Sequence, residues 1–345
     1  MRDKLKKTIY IIFGFDVDPD RDYFVENISP DGLSWRGLLE GIPRVKDKLQ
    51  KLTDSDSRSP VLTWNLRVDH QIKQVYGTYS HILTAHKDFL LELEKNGDEL
   101  AWHPHFWCYD EKKKVWYQNY QDVDWQVEML EKAFAAYQEA LPGRARTVRM
   151  GWSYHNNRTF ATLDRLGVEV DISGVPGLKI LPQKQGGCMT NFYDWAITPI
   201  KPFYPSTVDY RREAEKDESS YSLLEVPNLT VKSFFWGMLC GVVLARKMKD
   251  MRQIGYALSR PIYVLPITGK PRLFQPMLAQ MTKILKHDDK VIYNSISHPD
   301  ELIENIHPVY SLENMEENIR SILKLADSMD AKVKYIRACE MKHYI

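Results

Sequence analysis

Short apolar runs that end in chemically reactive side chains recur along this chain, and that recurrence constrains its fold more than any other feature. The run Ile9-Tyr10-Ile11-Ile12-Phe13 leads almost directly into Asp16 and Asp18. Residues 60–69 read as a second strand ending at Asp69, and 99–105 as a third ending in His103 and His105. Residues 147–152 carry Arg149, 168–171 end at Asp171, and 291–297 precede His298. Helical patterns lie between these runs at 38–52, 80–96, 120–141, 159–166, 273–286 and 315–329, and 223–231 and 332–337 read as further strands. Such alternation predicts an α/β protein with a parallel sheet. In that architecture the carboxyl ends of the strands form the functional face. No repeat, low-complexity tract or flexible linker is visible, so residues 1–345 read as one barrel-like domain. An irregular stretch at 176–222, rich in Pro, Gly and charge, is expected to carry substrate contacts.

Composition narrows the function classes. A hydrophobic content of 43% with 12% aromatics supports a full core. Basic and acidic residues number 47 and 46, which gives no general argument for nucleic acid as a partner. Cys108, Cys188, Cys240 and Cys339 are scattered and form no CxxC pair, as expected of reduced thiols in a cytosolic protein. The start MRDKLKKTIYIIFGFDVD has the basic-then-apolar order of a signal peptide, but its apolar stretch is short and lacks a small-residue cleavage site. It reads as the first core strand, and the expected location is the cytoplasm. A second apolar run, 234–245, leads into Arg246-Lys247-Met248-Lys249 and is too short to span a bilayer. It is either a buried helix or an interfacial helix around 233–249 that brings the protein to a membrane-bound substrate.

The polar strand ends suggest a cation. In an extended segment residues i and i+2 point the same way, so Asp16 and Asp18 face one point in space. Isolated buried carboxylates are costly unless paired or bound to a positive group. In HPHFW (103–107) Pro104 disfavours helix and biases His103 toward extended backbone, which sets the two imidazoles on one side. One carboxylate with two imidazoles is a common zinc set that leaves a position open for water. DVDPDRD is not an EF-hand loop, because Arg21 and Asn27 stand where Gly and Glu are required. Arg67 and Asp69 either line a substrate pocket or pair with each other at the strand end.

Taken together, FDVD (15–18), HPH (103–105), RMGW (149–152), VDISGVP (170–176) and SHPDEL (297–302) resemble, in order, the five motifs of the polysaccharide deacetylases. These are the NodB-homology enzymes of carbohydrate esterase family 4 and its relatives. RVDHQIKQVYG (67–77) and GDELAWHPHFW (97–107) look closest to a subgroup associated with bacterial surface-polysaccharide loci, such as those for O-antigen, lipopolysaccharide or capsule. The resemblance implies a distorted (β/α)7-type barrel and a hydrolase acting on the N-acyl amide of an amino sugar. It implies Asp16 as general base and Asp18, His103 and His105 as ligands of a divalent metal, zinc above others. It implies Arg149 as the residue that orients the base, and Asp171 as the acid that holds His298, the general acid.

The family's usual opening has adjacent acids, whereas Val17 separates them here. Its usual histidine pair is three residues apart, whereas only Pro104 intervenes here, so the roles of Asp16 and Asp18 remain exchangeable. Arg67, Asp69, Trp102 and Trp152 are the candidate substrate contacts, the tryptophans by stacking on sugar rings. The implied substrate is an N-acetyl or N-formyl amino sugar on a nucleotide or lipid-linked glycan. The alternatives are a sugar-binding barrel without catalysis and a glycoside hydrolase on a similar barrel.

Overall fold

The computed structural model describes residues 7–20, 33–180, 183–185, 188–190, 193–248, 251–303 and 309–345. Arg21, Asn27, the basic start at 1–6 and Lys249 lie outside the described residues, as do the side chains of Cys188 and Lys247. Cys108, Cys240 and Cys339 are free thiols.

One eight-stranded sheet organises the molecule. Its strands are β1 (Lys7–Val17), β2 (Leu62–Arg67), β3 (Glu99–His103), β4 (Thr147–Val148), β5 (Val170–Asp171), β6 (Leu224–Glu225), β7 (Lys290–Ser297) and β8 (Ala331–Tyr335). Their spatial order is β6-β5-β4-β3-β2-β1-β7, and every pairing is parallel. On one edge of β1 two strands follow each other end to end: β8 against Lys7–Ile11 and β2 against Phe13–Val17. The sheet curls into a half-barrel. Asn294 of β7 ties its ends together, donating to Val226 O at 2.9 Å just beyond β6.

Side-chain parity along β1 decides where the acids go. Ile9, Ile11, Phe13, Phe15 and Val17 belong to the core between sheet and helices. Tyr10 and Ile12 belong to a second cluster with Val170, Ile172, Leu224 and Val226, inside the curl. Each fully buried Ile or Phe stabilises the fold by roughly 1.5–3 kcal/mol, so a one-residue slip of β1 is strongly disfavoured. Asp16 has the parity of Tyr10 and Ile12, so this register sends its carboxylate into the mouth of the half-barrel.

The surrounding helices form for ordinary reasons. Leu312–Ser328 buries Met315, Ile319, Ile322 and Ala326 on one face and starts at Ser311, whose hydroxyl accepts from Asn314 N. Val123–Ala140 starts at Asp122, which accepts from Trp125 N. The helix expected at 80–96 is two, His81–Ala85 and Lys87–Lys95, because His86 between them is not helical (φ −122°, ψ 26°). The pattern missed a hairpin, Trp107–Asp110 with Val115–Gln118, whose lysine-rich turn reverses at Lys114 (φ 54°) without a glycine. It also missed the helices His70–Tyr76 and Arg252–Ser259.

Candidate metal centre

Parallel pairing brings the reactive strand ends into one cluster. Register sets Asp16 beside Asn65 and Arg67 beside His103. Asp18, His103 and His105 each offer a ligand atom within 4.8 Å of the others, and all three are buried. His103 Nε2 and His105 Nε2 lie 3.1 Å apart, and each is 3.6 Å from Asp18 Oδ1. The i, i+2 expectation for the two imidazoles describes this arrangement.

Asp16 stands beside that set. Its Oδ1 accepts from Asn65 Nδ2 at 2.9 Å, and its Oδ2 lies 3.7 Å from both His103 Nε2 and His298 Nε2. Arg149 Nε, which has no hydrogen-bond partner among the described residues, lies 3.8 Å from the same oxygen. His298 Nε2 is 3.4 Å from Asp18 Oδ2, and its Nδ1 is 3.8 Å from Glu301 Oε2.

Beneath the ligands lies a charged network. The Arg67 guanidinium donates to Asp18 Oδ1, Asp69 Oδ2 and Gln71 Oε1, each at 2.7 Å. Asp69 also caps the helix His70–Tyr76 and accepts from His105 N at 3.0 Å. Of the two readings of Arg67 and Asp69, pairing is the one observed. At 2% and 0% exposure they do not line an open pocket. Trp102, a candidate for stacking on substrate, is corrected likewise: it is fully buried and donates to Val68 O. Trp152 is half-buried.

Asp171 requires a larger correction. Its Oδ2 lies 2.9 Å from His155 Nε2, so it serves His155, while His298 faces Asp16, Asp18 and Glu301. Register explains this, because β5 sets Asp171 beside Glu225 and deep in the curl, below the rim where β7 delivers His298.

Electrostatics suit a cation. Burial would raise the Asp18 carboxyl, but His103, Arg67, His298 and His105 outweigh it and hold it well below the usual carboxylate range. Burial pushes both imidazoles down, His105 strongly, aided there by the Arg67 charge, so both are neutral near pH 7 and offer lone pairs. His103 Nδ1 is against Arg149 O, which assigns its proton to Nδ1 and leaves Nε2 as donor atom. The donor set therefore fits a divalent metal.

One amide must turn. Gln118 Oε1 accepts from Phe106 N at 3.1 Å, which presents its Nε2 to His105 Nδ1 at 3.3 Å. That orientation favours the tautomer in which His105 donates from Nε2 to His103. Ligation through His105 Nε2 needs that proton gone and the Gln118 amide reversed.

Local backbone makes the site possible. A Cβ on Gly151 would sit 2.2 Å from the His105 ring, so only glycine lets the imidazole lie there. The next two residues, Trp152 and Ser153, both hold φ 55°, and Ser153 Oγ accepts from Arg149 at 2.9 Å. Strain at two consecutive non-glycine residues is characteristic of a functional loop.

No protein-family model and no curated protein matches the sequence. Solved structures do match its shape. A protein from Mycobacterium smegmatis described as a candidate polysaccharide deacetylase aligns over 99% of this chain and 91% of its own, with 13% identity and a TM-score of 0.50. A protein from Parabacteroides distasonis described as a candidate glycoside hydrolase/deacetylase aligns over 99% and 72%, with 12% identity and a TM-score of 0.55. The chain has their fold. Within this half-barrel the cluster of Asp16, Asp18, His103, His105 and His298 occupies the carboxyl end of the strands, where α/β folds place their sites.

Proposed function

We propose that the chain is a metal-dependent hydrolase that removes an N-acyl group, acetyl or formyl, from an amino sugar. The observation that carries this reading is the buried Asp18–His103–His105 set with Asp16 and His298 held against it. A divalent cation held by those three ligands would polarise the amide carbonyl and ease ionisation of a neighbouring water. Two imidazoles and one carboxylate with room for water favour zinc.

The chain's own residues supply the proton traffic. Asp16 accepts the proton of the attacking water; Asn65 fixes one of its oxygens and Arg149 stands beside the other. His298, whose side chain is 22% exposed at the rim, delivers a proton to the departing amine. Glu301 flanks its far nitrogen. The amide C–N bond breaks as the new C–O bond forms, which leaves a carboxylic acid and a free amino sugar. Trp152 offers a ring face to the sugar. The stretches RVDHQIKQVYG (67–77) and GDELAWHPHFW (97–107), which resemble a subgroup associated with bacterial surface-polysaccharide loci, support placing this substrate on a nucleotide or lipid carrier in bacterial surface-polysaccharide assembly.

Elemental analysis of wild type, Asp18→Ala and His103→Ala tests the centre first. Near-stoichiometric zinc or a similar ion, lost in both variants, is expected, followed by chelator-sensitive release of acetate or formate from N-acyl amino sugars. Wild type that stays metal-free after incubation with several divalent ions overturns the reading. Sugar-bond cleavage that survives chelation assigns the barrel to glycoside hydrolysis.

A further inference from the structure

The helices Phe234–Met248 and Arg252–Ser259 pack on each other in a way that inverts the usual pattern of a soluble helix. The first turns its small residues inward: Gly237, Gly241 and Ala245, spaced by four, are buried. A Cβ on Gly237 would meet the Pro261 carbonyl carbon at 2.3 Å, so close approach requires glycine there. Its large residues face out, with Phe234 at 66%, Phe235 at 70%, Leu239 at 42% and Val243 at 55% exposure. Met251 and Leu258 add 73% and 54% on the adjoining helix and the link to it. These six account for over half of the eleven large hydrophobics exposed among the described residues, so the exposure is a patch and not scatter.

The patch is rimmed by one sign of charge. Lys232, Arg246, Arg252 and Arg260 are exposed around it. Over residues 232–260 the sequence has one acid, Asp250, against those four bases plus Lys247 and Lys249. At 15 residues the first helix is roughly 22 Å long by its 1.5 Å rise, short of a hydrocarbon core of about 30 Å. No helix among the described residues is long and apolar enough to cross a membrane. A short helix with outward aromatics and a basic border fits the plane of an anionic interface. A second copy of the chain fits poorly, since a symmetric contact would set the basic rim against itself.

We propose that this helical pair seats the protein on an anionic lipid bilayer, with Phe234, Phe235, Leu239 and Val243 in the interface and the arginines on the headgroups. The pair also follows β6 along the chain, growing from the segment that leaves its carboxyl end. The surface carries the proposal without the hydrolase reading. Where both hold, the acyl sugar is one carried on a lipid.

Flotation with vesicles of phosphatidylcholine, with and without about a third phosphatidylglycerol, tests it. Wild type is expected to float with the anionic vesicles, at least about tenfold more than with phosphatidylcholine alone, and to be released by salt. Phe234→Ser/Phe235→Ser is expected to lose about tenfold or more of that binding, and Arg246→Glu/Arg252→Glu to lose its preference for anionic lipid. Wild type that never floats, or a serine variant that floats as well as wild type, overturns the proposal. So does a wild-type dimer, seen by light scattering, that the serine pair converts to monomer without vesicle binding. Thermal melting of each variant serves as the folding control, and its metal content reads the hydrolase centre separately.

Discussion

At the carboxyl end of the sheet Asp16, Asp18, Arg67, Asp69, His103 and His105 are all at most 7% exposed, whereas the helical pair at 234–259 leaves Phe235 at 70%. One region buries charge and the other exposes aromatics. The sheet end compensates its burial internally, since the three bonds of Arg67 tie Asp18 and Asp69 together. The helical pair has no such compensation among the described residues, and none of them covers its outer face. A region that breaks a folding rule and repairs it internally is a site. One that leaves the break open to solvent is a surface waiting for a second phase.

The largest expected effect tests internal repair. Asp18→Ala removes one acid from a buried guanidinium and a ligand from the centre. Breaking a buried pair is strongly destabilising, and with Asp69 still in place a loss of about 3 kcal/mol is expected, read by urea denaturation. Metal binding is expected to be lost with it. His103→Ala is expected to lose metal binding as well but strands no guanidinium, so its stability loss is smaller. Equal destabilisation of the two would show that the Arg67 network does not hold the sheet end together.

Gly151→Ala comes next. The added methyl meets the His105 ring at 2.2 Å, and overpacking of that kind costs about 1–3 kcal/mol. The imidazole has to move, so metal affinity falls along with the melting temperature. An unchanged affinity would remove His105 from the ligand set.

Gln118→Glu works in the other direction. A carboxylate there can accept from Phe106 N and from His105 Nδ1–H together, which holds the tautomer that ligates through Nε2. Metal affinity is expected to rise about tenfold in a competition titration. A fall would mean that His105 does not ligate through that nitrogen.

Much of this centre was legible in the sequence because it depends on spacing within single strands. Asp16 and Asp18, like His103 and His105, are two apart in extended chain, and Pro104 kept the second pair extended. Partners set by register across strands were not legible. Asn65 reaches Asp16 and Glu225 reaches Asp171 through pairings that no local spacing encodes, and His155 reaches Asp171 from a loop. Gln118 arrives from a hairpin that the pattern missed. The same limit applies to the apolar run at 234–245: its length and flanking charge were readable, but which face turned outward was not. The signal was present in Gly237, Gly241 and Ala245, because small residues four apart mark the side of a helix that packs closest.

Acidity deep in the curl gives a pH test. Burial and the neighbouring Asp171 raise the Glu225 carboxyl well above its usual range, while His155 and Ser173 hold Asp171 down against its own burial. Glu225 therefore keeps its proton in the folded chain at a pH where the unfolded chain has released it. Its contribution to stability is whole below about pH 4.5 and is lost as pH rises through the folded value. Glu225→Gln cannot ionise and keeps an oxygen for Gly174 N. Its melting temperature is expected to match wild type at pH 5 and to exceed it by several degrees at pH 9. A constant difference across that range would mean Glu225 is ionised in the fold.

The smallest expected effect belongs to the helical pair. In Phe234→Ser/Phe235→Ser both side chains are about two-thirds exposed or more, so little buried area is lost. Substitutions at such positions normally stay within about 0.5 kcal/mol. The inward stripe should behave oppositely. Gly237→Ala places a methyl 2.3 Å from the Pro261 carbonyl carbon and is expected to cost more than both phenylalanines together. That ordering, a glycine outweighing two aromatics in the same helix, is what an outward apolar face requires. If thermal melts show the serine pair costing several kcal/mol instead, Phe234 and Phe235 pack within the folded chain, and the contrast between a sealed site and an open surface fails.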